Sequence, residues 1–275
     1  MLRWGLIGAG RAGRARTKAI LHDPRSRLIG AFGGDPETLG VGVMPSLEVL
    51  FDSVDAVAIC TPDVSHAALA RTALVAGMHV LVEYPLAGSR EVAATLLEFA
   101  ASRSRVLHVE HIELLSATHL VFARHLQGAS VLGGHVRFTG PPRQGLLSVA
   151  HANVARLHRV VDAIGLPDSI EGSTTGGLVE GSLGYGAAGV SLRFELGEDL
   201  PRRTDMLIET TSGKVRLEGK EVLVDGVVSQ LDEQPGLFAS DQRRATARIL
   251  DGGPSYVSDS RVLDVLGLAD ALSST

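Results

Sequence analysis

The sequence predicts an α/β protein of two domains: a doubly wound parallel sheet over residues 1–116, then an α+β domain over residues 117–275 with an open, mainly antiparallel sheet. Three observations predict this arrangement. In the first half, short and nearly continuous apolar runs alternate with segments of helical period, as in parallel sheets that are buried on both faces. Three glycines stand between the first run and the first helix. In the second half, strand-like runs are joined by short turns that contain glycine, which is typical of antiparallel pairing.

The strands of the first domain are predicted from five apolar runs: RWGLIG (3–8), RLIGAF (27–32), DAVAICT (55–61), HVLVEYP (79–85) and VLHVEH (106–111). The segments between these runs carry apolar residues at helical spacing. Ser65 and Ser89 are expected to cap two of the helices, and Gly77 is expected to end one. Because strands and helices alternate, right-handed crossover connections are expected.

The second domain is predicted from six further runs: 133–140, 169–175, 189–196, 205–213, 214–219 and 221–226. One helix is predicted over residues 148–165, between the first two of these strands. Two last helical regions, 238–251 and 259–272, follow Pro235-Gly236. They either complete the second domain or pack back on the first.

Composition and charge narrow the class of protein. Hydrophobic residues make up 45% of the chain, which is enough for a substantial core, and the net charge is -5 without a cluster of Lys and Arg. These properties argue against a nucleic-acid partner. No apolar run reaches the roughly 18 residues that would span a bilayer, and the opening LRWGLIG is interpreted as a strand rather than a signal peptide. Cys60 is the only cysteine, so a reduced, cytoplasmic setting and an inert buried thiol are expected.

The three glycines predict a dinucleotide site. Gly8, Gly10 and Gly13 have the G-x-G-x-x-G spacing, after a strand and before a helix. Gly8 permits the tight turn, Gly10 lets the backbone approach a pyrophosphate, and Gly13 lets helix and strand pack closely. The free N–H groups of the helix N-terminus then bind the phosphates. The other residues of this loop, expected to contact the same ligand, are Ala9, Arg11 and Ala12.

The choice between NADH and NADPH stays open at this point. The second strand leads into Gly33, Gly34 and Asp35, and Asp35 lies where a carboxylate that binds the ribose of NAD belongs. Asp35 could equally be a turn residue before Pro36. Arg11 could instead reach the additional phosphate of NADP.

Two further motifs carry a family resemblance. Thr61, Pro62 and His66 form T-P-x-x-x-H after the third strand, and Glu83 and Pro85 form E-x-P after the fourth. Together with the glycine loop, they resemble the glucose–fructose oxidoreductase/inositol dehydrogenase family, also called Gfo/Idh/MocA. The resemblance implies a Rossmann domain followed by a domain whose open sheet helps to form the substrate site. It also implies that the two motif loops hold the nicotinamide end of the cofactor.

The departures from the family pattern concern the chemistry. Members that oxidise sugars carry Glu-Lys-Pro, and later a helix with an Asp and a His four residues apart. Here Tyr84 replaces the Lys, while Ala155 and Arg159 stand at the Asp and His positions. A tyrosine titrates near pH 10 and an arginine is effectively never a base. Oxidation of an alcohol is therefore not expected.

One branch of the family, the biliverdin reductases, does carry Glu-Tyr-Pro. The stretches VLHVEHIELL (106–115) and ANVARLHRVVDAIG (152–165) are also similar to that branch. The resemblance implies a reductase of a linear tetrapyrrole that acts as a monomer or a homodimer, with a slight preference for NADPH. The alternatives are a reductase of another unsaturated or imine substrate, and a cofactor-binding regulator without catalysis.

The resemblance also assigns roles to individual side chains. Arg156 matches an arginine of the branch and is the main catalytic candidate, while Tyr84 is expected to donate a hydrogen bond near the reacting centre. Glu110 and His111 are expected to line the pocket. The cations expected to bind the two propionates of a bilin are Arg137, Arg156 and Arg159, with Arg143, Arg193, Arg202 and Arg203 as further arginines of the same domain.

Each of these roles has a structural alternative. Arg156 and Arg159 could pair with Asp162 or solvent, and Tyr84 could be a packed ring. In a strand, His108 and Glu110 share one face while His111 points to the other, so no metal site is expected in this stretch.

Overall fold

The computed structural model describes residues 1–142, 145–232 and 235–273. The chain forms two compact units. The first contains residues 1–112 and 235–263, and the second contains residues 113–234 and 264–275. The chain passes from the first unit to the second after residue 112, and residues 235–263 return to the first unit.

The first unit is built on a five-stranded parallel sheet with the strand order β2-β1-β3-β4-β5. The strands are β1 (Leu2–Ile7), β2 (Ser26–Phe32), β3 (Ala56–Ile59), β4 (His79–Val82) and β5 (Leu107–Val109). All four residues of the central β3 are fully buried, which explains why its sequence shows no alternation of polar and apolar residues. The predicted parallel sheet is confirmed, and each strand falls within or beside one of the five apolar runs.

Four helices connect these strands: α1 (Arg11–Leu21), α2 (Leu47–Ser53), α3 (His66–Val75) and α4 (Arg90–Ser102). Ser89 caps α4 as predicted, because its hydroxyl accepts the Val92 N–H at 3.2 Å. Ser65 precedes α3 but its hydroxyl does not cap it; the hydroxyl donates instead to the Pro62 carbonyl at 2.7 Å. The short α2 is absent from the sequence-based expectation because two turns are too few to show a helical period.

The second unit contains an eight-stranded sheet with the order β13-β12-β11-β10-β6-β9-β8-β7. Its strands are β6 (Val131–Gly140), β7 (Ser169–Thr175), β8 (Leu178–Tyr185), β9 (Ala188–Leu196), β10 (Arg203–Thr210), β11 (Gly213–Glu218), β12 (Glu221–Val224) and β13 (Val227–Val228). β6 and β9 pair in parallel, and the other neighbours are antiparallel. The mainly antiparallel sheet is thus confirmed. β8 is missing from the prediction because its two glycines weaken the strand pattern.

Three helices belong to this unit: α5 (Ala117–Leu126), α6 (Val149–Ala152) and α7 (Val154–Ile164). α5 packs on β11 and β12, α6 packs on β8 and β9, and α7 packs against α5 and α6. The single helix predicted over 148–165 is therefore wrong in one respect, since it is divided at Asn153. The side-chain amide of Asn153 donates to the Val149 carbonyl at 2.8 Å, and a side chain that competes for a backbone carbonyl in this way interrupts the helical ladder.

Two helices end the chain, α8 (Leu237–Asp251) and α9 (Asp259–Ser273). α8 packs beside α1 in the first unit, and α9 begins in the first unit and ends in the second. In the ranges described here, no helix is both long and apolar enough to cross a membrane.

Candidate active site

The loop between β1 and α1 contains Gly8, Gly10 and Gly13, and the structure explains each glycine differently. Gly8 has a φ of +97°, a left-handed conformation that favours glycine. A Cβ atom on Gly13 would lie 2.0 Å from the Gly8 carbonyl oxygen, so Gly13 is required by the packing of helix on strand. A Cβ on Gly10 would meet no atom within 4 Å. The fold therefore does not require a glycine at position 10.

Gly10 is best explained by a ligand. It is exposed at the N-terminus of α1 and caps that helix without a side-chain hydrogen bond. A Cβ here would fill the space in which a pyrophosphate approaches the backbone N–H groups of the first turn. The loop thus fits a dinucleotide.

Gly10→Val is expected to abolish nucleotide binding while changing the free energy of unfolding by no more than about 1 kcal/mol, because only the ligand competes with the new side chain. Fluorescence titration with NADPH and urea unfolding measure the two effects. Gly13→Ala is the matched control, which should destabilise the fold through its clash with Gly8. Unchanged nucleotide affinity in Gly10→Val would contradict the assignment of this loop.

The end of β2 lies against the same loop. The Ala9 N–H donates to the Gly33 carbonyl at 3.2 Å, and Gly33 and Gly34 have φ angles of +80° and +77°. Asp35 follows them as an exposed residue, and Arg11 is exposed at the start of α1. A carboxylate and a cation therefore both belong to segments that meet at the glycine loop, and the geometry is compatible with either nicotinamide cofactor.

The T-P-x-x-x-H and E-x-P motifs are joined by one side chain. The imidazole of His66 is buried, with Nδ1 2.8 Å from the Pro85 carbonyl oxygen and Nε2 2.8 Å from the Thr61 carbonyl oxygen. The hydroxyl oxygens of Thr61 and Ser65 also lie within hydrogen-bond distance of each other, at 2.7 Å. His66 thus holds together the loops that follow β3 and β4, at the carboxyl edge of the sheet where α/β domains bind ligands. Pro62 is exposed in the same loop and Tyr84 is half-buried in the other.

A buried charge cluster lies behind these loops. Arg16 is fully buried, and its guanidinium lies 3.2 Å from Glu83 Oε1 and 2.8 Å from Asp241 Oδ2. Asp241 also accepts hydrogen bonds from His108 Nε2 at 2.9 Å and from the Tyr256 hydroxyl at 2.7 Å. Burial alone would raise the pKa of Asp241, but the Arg16 charge and the hydrogen bonds from His108 and Tyr256 lower it below its usual range. Asp241 is therefore an ionised partner of Arg16.

Glu110 is a buried acid at the end of β5. Burial and the nearby Glu83 and Asp241 charges raise its pKa well above the ordinary value for a glutamate. One of its oxygens accepts the Ile112 N–H at 3.3 Å, and the other has no hydrogen-bond partner among the described residues. Burial also raises the pKa of Glu83, against the opposing effect of Arg16. Glu110 is therefore a buried acid that ionises less readily than an ordinary glutamate, at the edge of the sheet that carries Tyr84.

His111 is buried beside this acid, and its backbone N–H donates to the Tyr256 hydroxyl at 2.9 Å. Burial and the neighbouring His108 lower the pKa of His111 to about 3. The side chain is therefore neutral in the folded protein at physiological pH.

This lowered pKa predicts a loss of stability in acid. An unfolded histidine titrates near pH 6.5, so below that pH the unfolded chain binds a proton that the folded chain does not bind until about pH 3. The folded state is destabilised by about 1.4 kcal/mol for each pH unit below about 6.5. Urea unfolding at about pH 7 and about pH 5 should show a loss roughly 2 kcal/mol larger in the wild type than in His111→Gln.

The exposed His22 provides the control for replacing a histidine by glutamine, because His22→Gln changes no buried side chain. Glu83 and Glu110 have raised pKa values, which favour the folded state as the pH falls, opposite to the effect of His111. Both glutamates are present in all three proteins, so their contribution cancels in the comparison. Equal pH dependence in His111→Gln and the wild type would contradict the lowered pKa.

The buried cluster contains side chains that the sequence analysis does not single out, namely Arg16, Asp241 and Tyr256. Arg16 could have been noticed in the sequence, because it places a charge on the buried face of α1, between Gly13 and Ile20. No sequence spacing connects Arg16 with Asp241, because their separation along the chain exceeds two hundred residues.

In the second unit, the two arginines of α7 have different surroundings. Arg156 is 7% exposed, and its guanidinium carbon lies 3.6 Å from the centroid of the Phe138 ring. Arg159 donates to Ser116 Oγ at 2.8 Å and lies 3.1 Å from Glu113 Oε2. Arg159 thus anchors the start of α5, while Arg156 lines a cleft. The proposed alternative partner, Asp162, lies 2.8 Å from His119 Nε2.

Arg137 lies on the opposite face of β6 from Phe138 and is exposed. It lines a groove of about 480 Å³ together with Glu180 and Arg193. Arg143 lies outside the described residues. Across the described ranges, no cluster of three or more His, Cys, Asp or Glu side chains could hold a metal ion.

The first unit has a glycine loop on a five-stranded parallel sheet, and the second unit is built on a large open sheet. These features define the class of two-unit α/β proteins with a dinucleotide-binding domain. Residues 2–111 match the model of the GFO_IDH_MocA oxidoreductase family, described as having an NAD-binding Rossmann fold. The Rossmann fold that the motifs predicted is thus confirmed, and residues 2–111 are similar to the NAD-binding domain of this family.

The similar proteins include biliverdin reductases. Over 144 residues, the chain is 41% identical to biliverdin reductase A of Mus musculus, covering 50% of this chain and 48% of the relative. Its identity to biliverdin reductase A of Homo sapiens is 36%, covering 50% and 49%. The chain thus matches about half the length of these relatives. A crystal structure of biliverdin reductase from Synechocystis sp. PCC 6803, in complex with biliverdin and NADP+, has a TM-score of 0.86 at 24% identity and covers 98% of this chain and 97% of that one. At this identity, the structure supports the fold alone.

Proposed function

We propose that the protein is an NAD(P)H-dependent reductase of a linear tetrapyrrole, which reduces biliverdin at its central bridging carbon to give bilirubin. The observation that carries the proposal is the 41% identity to a mammalian biliverdin reductase over half of this chain. The replacement of Lys by Tyr84, and of Asp and His by Ala155 and Arg159, supports it further. None of these three residues can take up the proton of a sugar hydroxyl at neutral pH.

The residues of the first unit have roles in binding and orientation. A bound nicotinamide supplies the hydride for this chemistry. The Gly10 backbone and the N-terminus of α1 bind the pyrophosphate, while His66 holds the loops of Thr61 and Glu83 in register. Tyr84 follows Glu83 and donates a hydrogen bond to the substrate, and the raised pKa of the buried Glu110 limits negative charge beside the anionic tetrapyrrole.

The residues of the second unit bind the substrate. The two propionates require cations, and a guanidinium binds a carboxylate through two parallel hydrogen bonds. Arg156 supplies one such group from the cleft beside Phe138. Arg137 lies on the opposite face of β6 from this cleft, so we do not assign it to the same bound substrate. Arg159 remains a candidate for the rim, although its observed contacts are structural.

The proposal is tested by mixing the purified protein with biliverdin and either NADPH or NADH, and following the change in the absorption spectrum from biliverdin to bilirubin. Parallel assays use glucose and inositol with NAD and NADP, for which no turnover is expected. Robust oxidation of either polyol would overturn the proposal. Cofactor binding without turnover of biliverdin would leave another unsaturated or imine substrate, or a non-catalytic regulator.

Cofactor preference gives a further prediction. Arg11→Ala is expected to weaken NADPH binding about tenfold and NADH binding less, because a charge-assisted hydrogen bond to an exposed phosphate contributes about 1.5 kcal/mol. Asp35→Ala should weaken NADH binding if Asp35 binds the ribose hydroxyl. Titration of each variant with both cofactors separates the two roles. Unchanged NADH affinity in Asp35→Ala would show that Asp35 is a turn residue only.

A further inference from the structure

A tyrosine of the C-terminal segment is hydrogen-bonded to the chain just after β5. Tyr256 lies in the connection between α8 and α9, within the first unit. Its hydroxyl donates a hydrogen bond to Asp241 Oδ1 at 2.7 Å and accepts one from the His111 backbone N–H at 2.9 Å. Tyr256 and His111 are 145 residues apart along the chain, so the fold alone brings them together. One hydroxyl thus joins α8 to the segment that follows β5.

The direction of these two hydrogen bonds is fixed by the groups that make them. A backbone N–H can only donate, and the ionised Asp241 can only accept. Burial and the Asp241 charge raise the pKa of Tyr256 above its ordinary value, so its hydroxyl keeps its proton at physiological pH. That proton is donated to Asp241, and a lone pair of the oxygen accepts from His111. The orientation of the hydroxyl is therefore determined by its two partners.

The hydrogen bond from His111 to Tyr256 fixes the backbone between two others. The Glu110 N–H donates to the Val82 carbonyl of β4 at 2.9 Å, and the Ile112 N–H donates to Glu110 Oε1 at 3.3 Å. The His111 N–H belongs to the peptide group that joins Glu110 to His111, and its acceptor is the Tyr256 hydroxyl. Tyr256 therefore fixes the plane of this peptide group, and with it the directions in which the two side chains leave the backbone.

The carboxyl group of Glu110 depends on this backbone support. The side chain is fully buried, and Oε2 has no hydrogen-bond partner among the residues that the structure describes. Its other oxygen is bonded to Ile112, only two residues further along the chain. Rotation of the peptide group at His111 would therefore displace a buried acid at the carboxyl edge of the sheet, where α/β domains bind their ligands. Small displacements near a reacting centre lower the rate strongly.

We propose that Tyr256 is a positioning residue of the active site, which holds the Glu110–His111 segment in place through the His111 N–H and Asp241. The inference rests on the proposed function for the reaction that this segment supports. Because Tyr256 acts through the segment that it holds, loss of its hydroxyl should lower the reaction rate of a protein that still folds and binds its cofactor. A hydroxyl with a purely structural role would affect stability alone.

Tyr256→Phe tests the inference because it removes the hydroxyl and keeps the ring, whose centroid lies 5.7 Å from that of His108. Hydrogen–deuterium exchange of peptides that report residues 110–112 should become about tenfold faster, the effect of one lost hydrogen bond. With saturating NADPH, kcat for biliverdin should fall about tenfold. The Kd for NADPH should stay within about twofold of the wild-type value.

Tyr185→Phe is the matched control, because the Tyr185 hydroxyl also donates a hydrogen bond, to the Gly165 carbonyl at 3.1 Å, but lies in the second unit. It should leave kcat and the exchange of residues 110–112 as in the wild type. An unchanged kcat in Tyr256→Phe would show that the hydroxyl is structural only, and would overturn the inference. A lower kcat without faster exchange would also overturn it, because the effect would then not pass through His111.

Exchange measured with and without NADPH separates this inference from the proposed function. If the wild type does not reduce biliverdin, the proposed function fails, and the positioning role is decided by the nucleotide alone. Slower exchange of residues 110–112 in the wild type with NADPH bound, and loss of this protection in Tyr256→Phe, would support the role. Exchange that NADPH leaves unchanged in the wild type, or slows equally in both proteins, would overturn it.

Discussion

Arg156→Ala is expected to lower kcat for biliverdin reduction by about a hundredfold or more while leaving cofactor affinity unchanged. A buried guanidinium that holds a propionate fixes the tetrapyrrole in one orientation, and a substrate that is no longer held in this orientation reacts more slowly as well as binding more weakly. Removing one such contact costs about 2–4 kcal/mol of transition-state stabilisation. Steady-state kinetics with saturating NADPH measure the effect.

Arg156→Lys is the informative companion variant. It should recover only part of kcat, because a point charge does not reproduce the planar fork or its stacking on Phe138. Circular dichroism and NADPH titration establish that each variant is folded and binds the cofactor. A kcat near the wild-type value in Arg156→Ala would make this arginine a packing residue of the cleft, without a catalytic role.

Asp241→Ala is expected to lower the free energy of unfolding by about 3–5 kcal/mol. The substitution removes the carboxylate that lies 2.8 Å from Arg16 and accepts from His108 and Tyr256. A buried cation that loses its partner bears a desolvation cost that is no longer offset. Urea unfolding followed by circular dichroism measures the change.

The surface pair of Arg25 with Asp251 provides a matched control. It also joins the first part of the chain to α8, with a separation of 2.7 Å, but its side chains are 45% and 54% exposed. Asp251→Ala should therefore cost less than about 1 kcal/mol. If Asp241→Ala does not fold, the double variant Arg16→Met/Asp241→Leu should recover much of the stability, because apolar residues of similar volume replace a buried ion pair at little cost. Equal effects of Asp241→Ala and Asp251→Ala would contradict the importance of the buried cluster.

Features governed by local physics were predictable from the sequence. Gly8 and Gly13 are needed for a turn and a close helix contact, and both follow from their spacing behind an apolar run. The five parallel strands follow from continuous apolar runs, because burial on both faces leaves a clear pattern. β8 and α2 leave weak patterns, the first because it contains two glycines and the second because it is short.

Features that depend on distant partners were not predictable. Arg156 and Arg159 look equivalent in the sequence, one helical turn apart. Phe138 stacks on the first, and Ser116 and Glu113 hold the second. The cation at position 16 is visible as a break in an apolar face, but its partner at position 241 becomes visible only once α8 is packed against α1. Tertiary contacts of this kind carry no local signal.

The return of residues 235–263 to the first unit has a consequence for biosynthesis. The strands of the parallel sheet leave the ribosome first, with Arg16 on the helix that covers them, yet the carboxylate that neutralises Arg16 is translated only after the whole second sheet. A domain generally folds as a unit once its residues are available. The first unit therefore completes its core only after residues 235–263 have been translated.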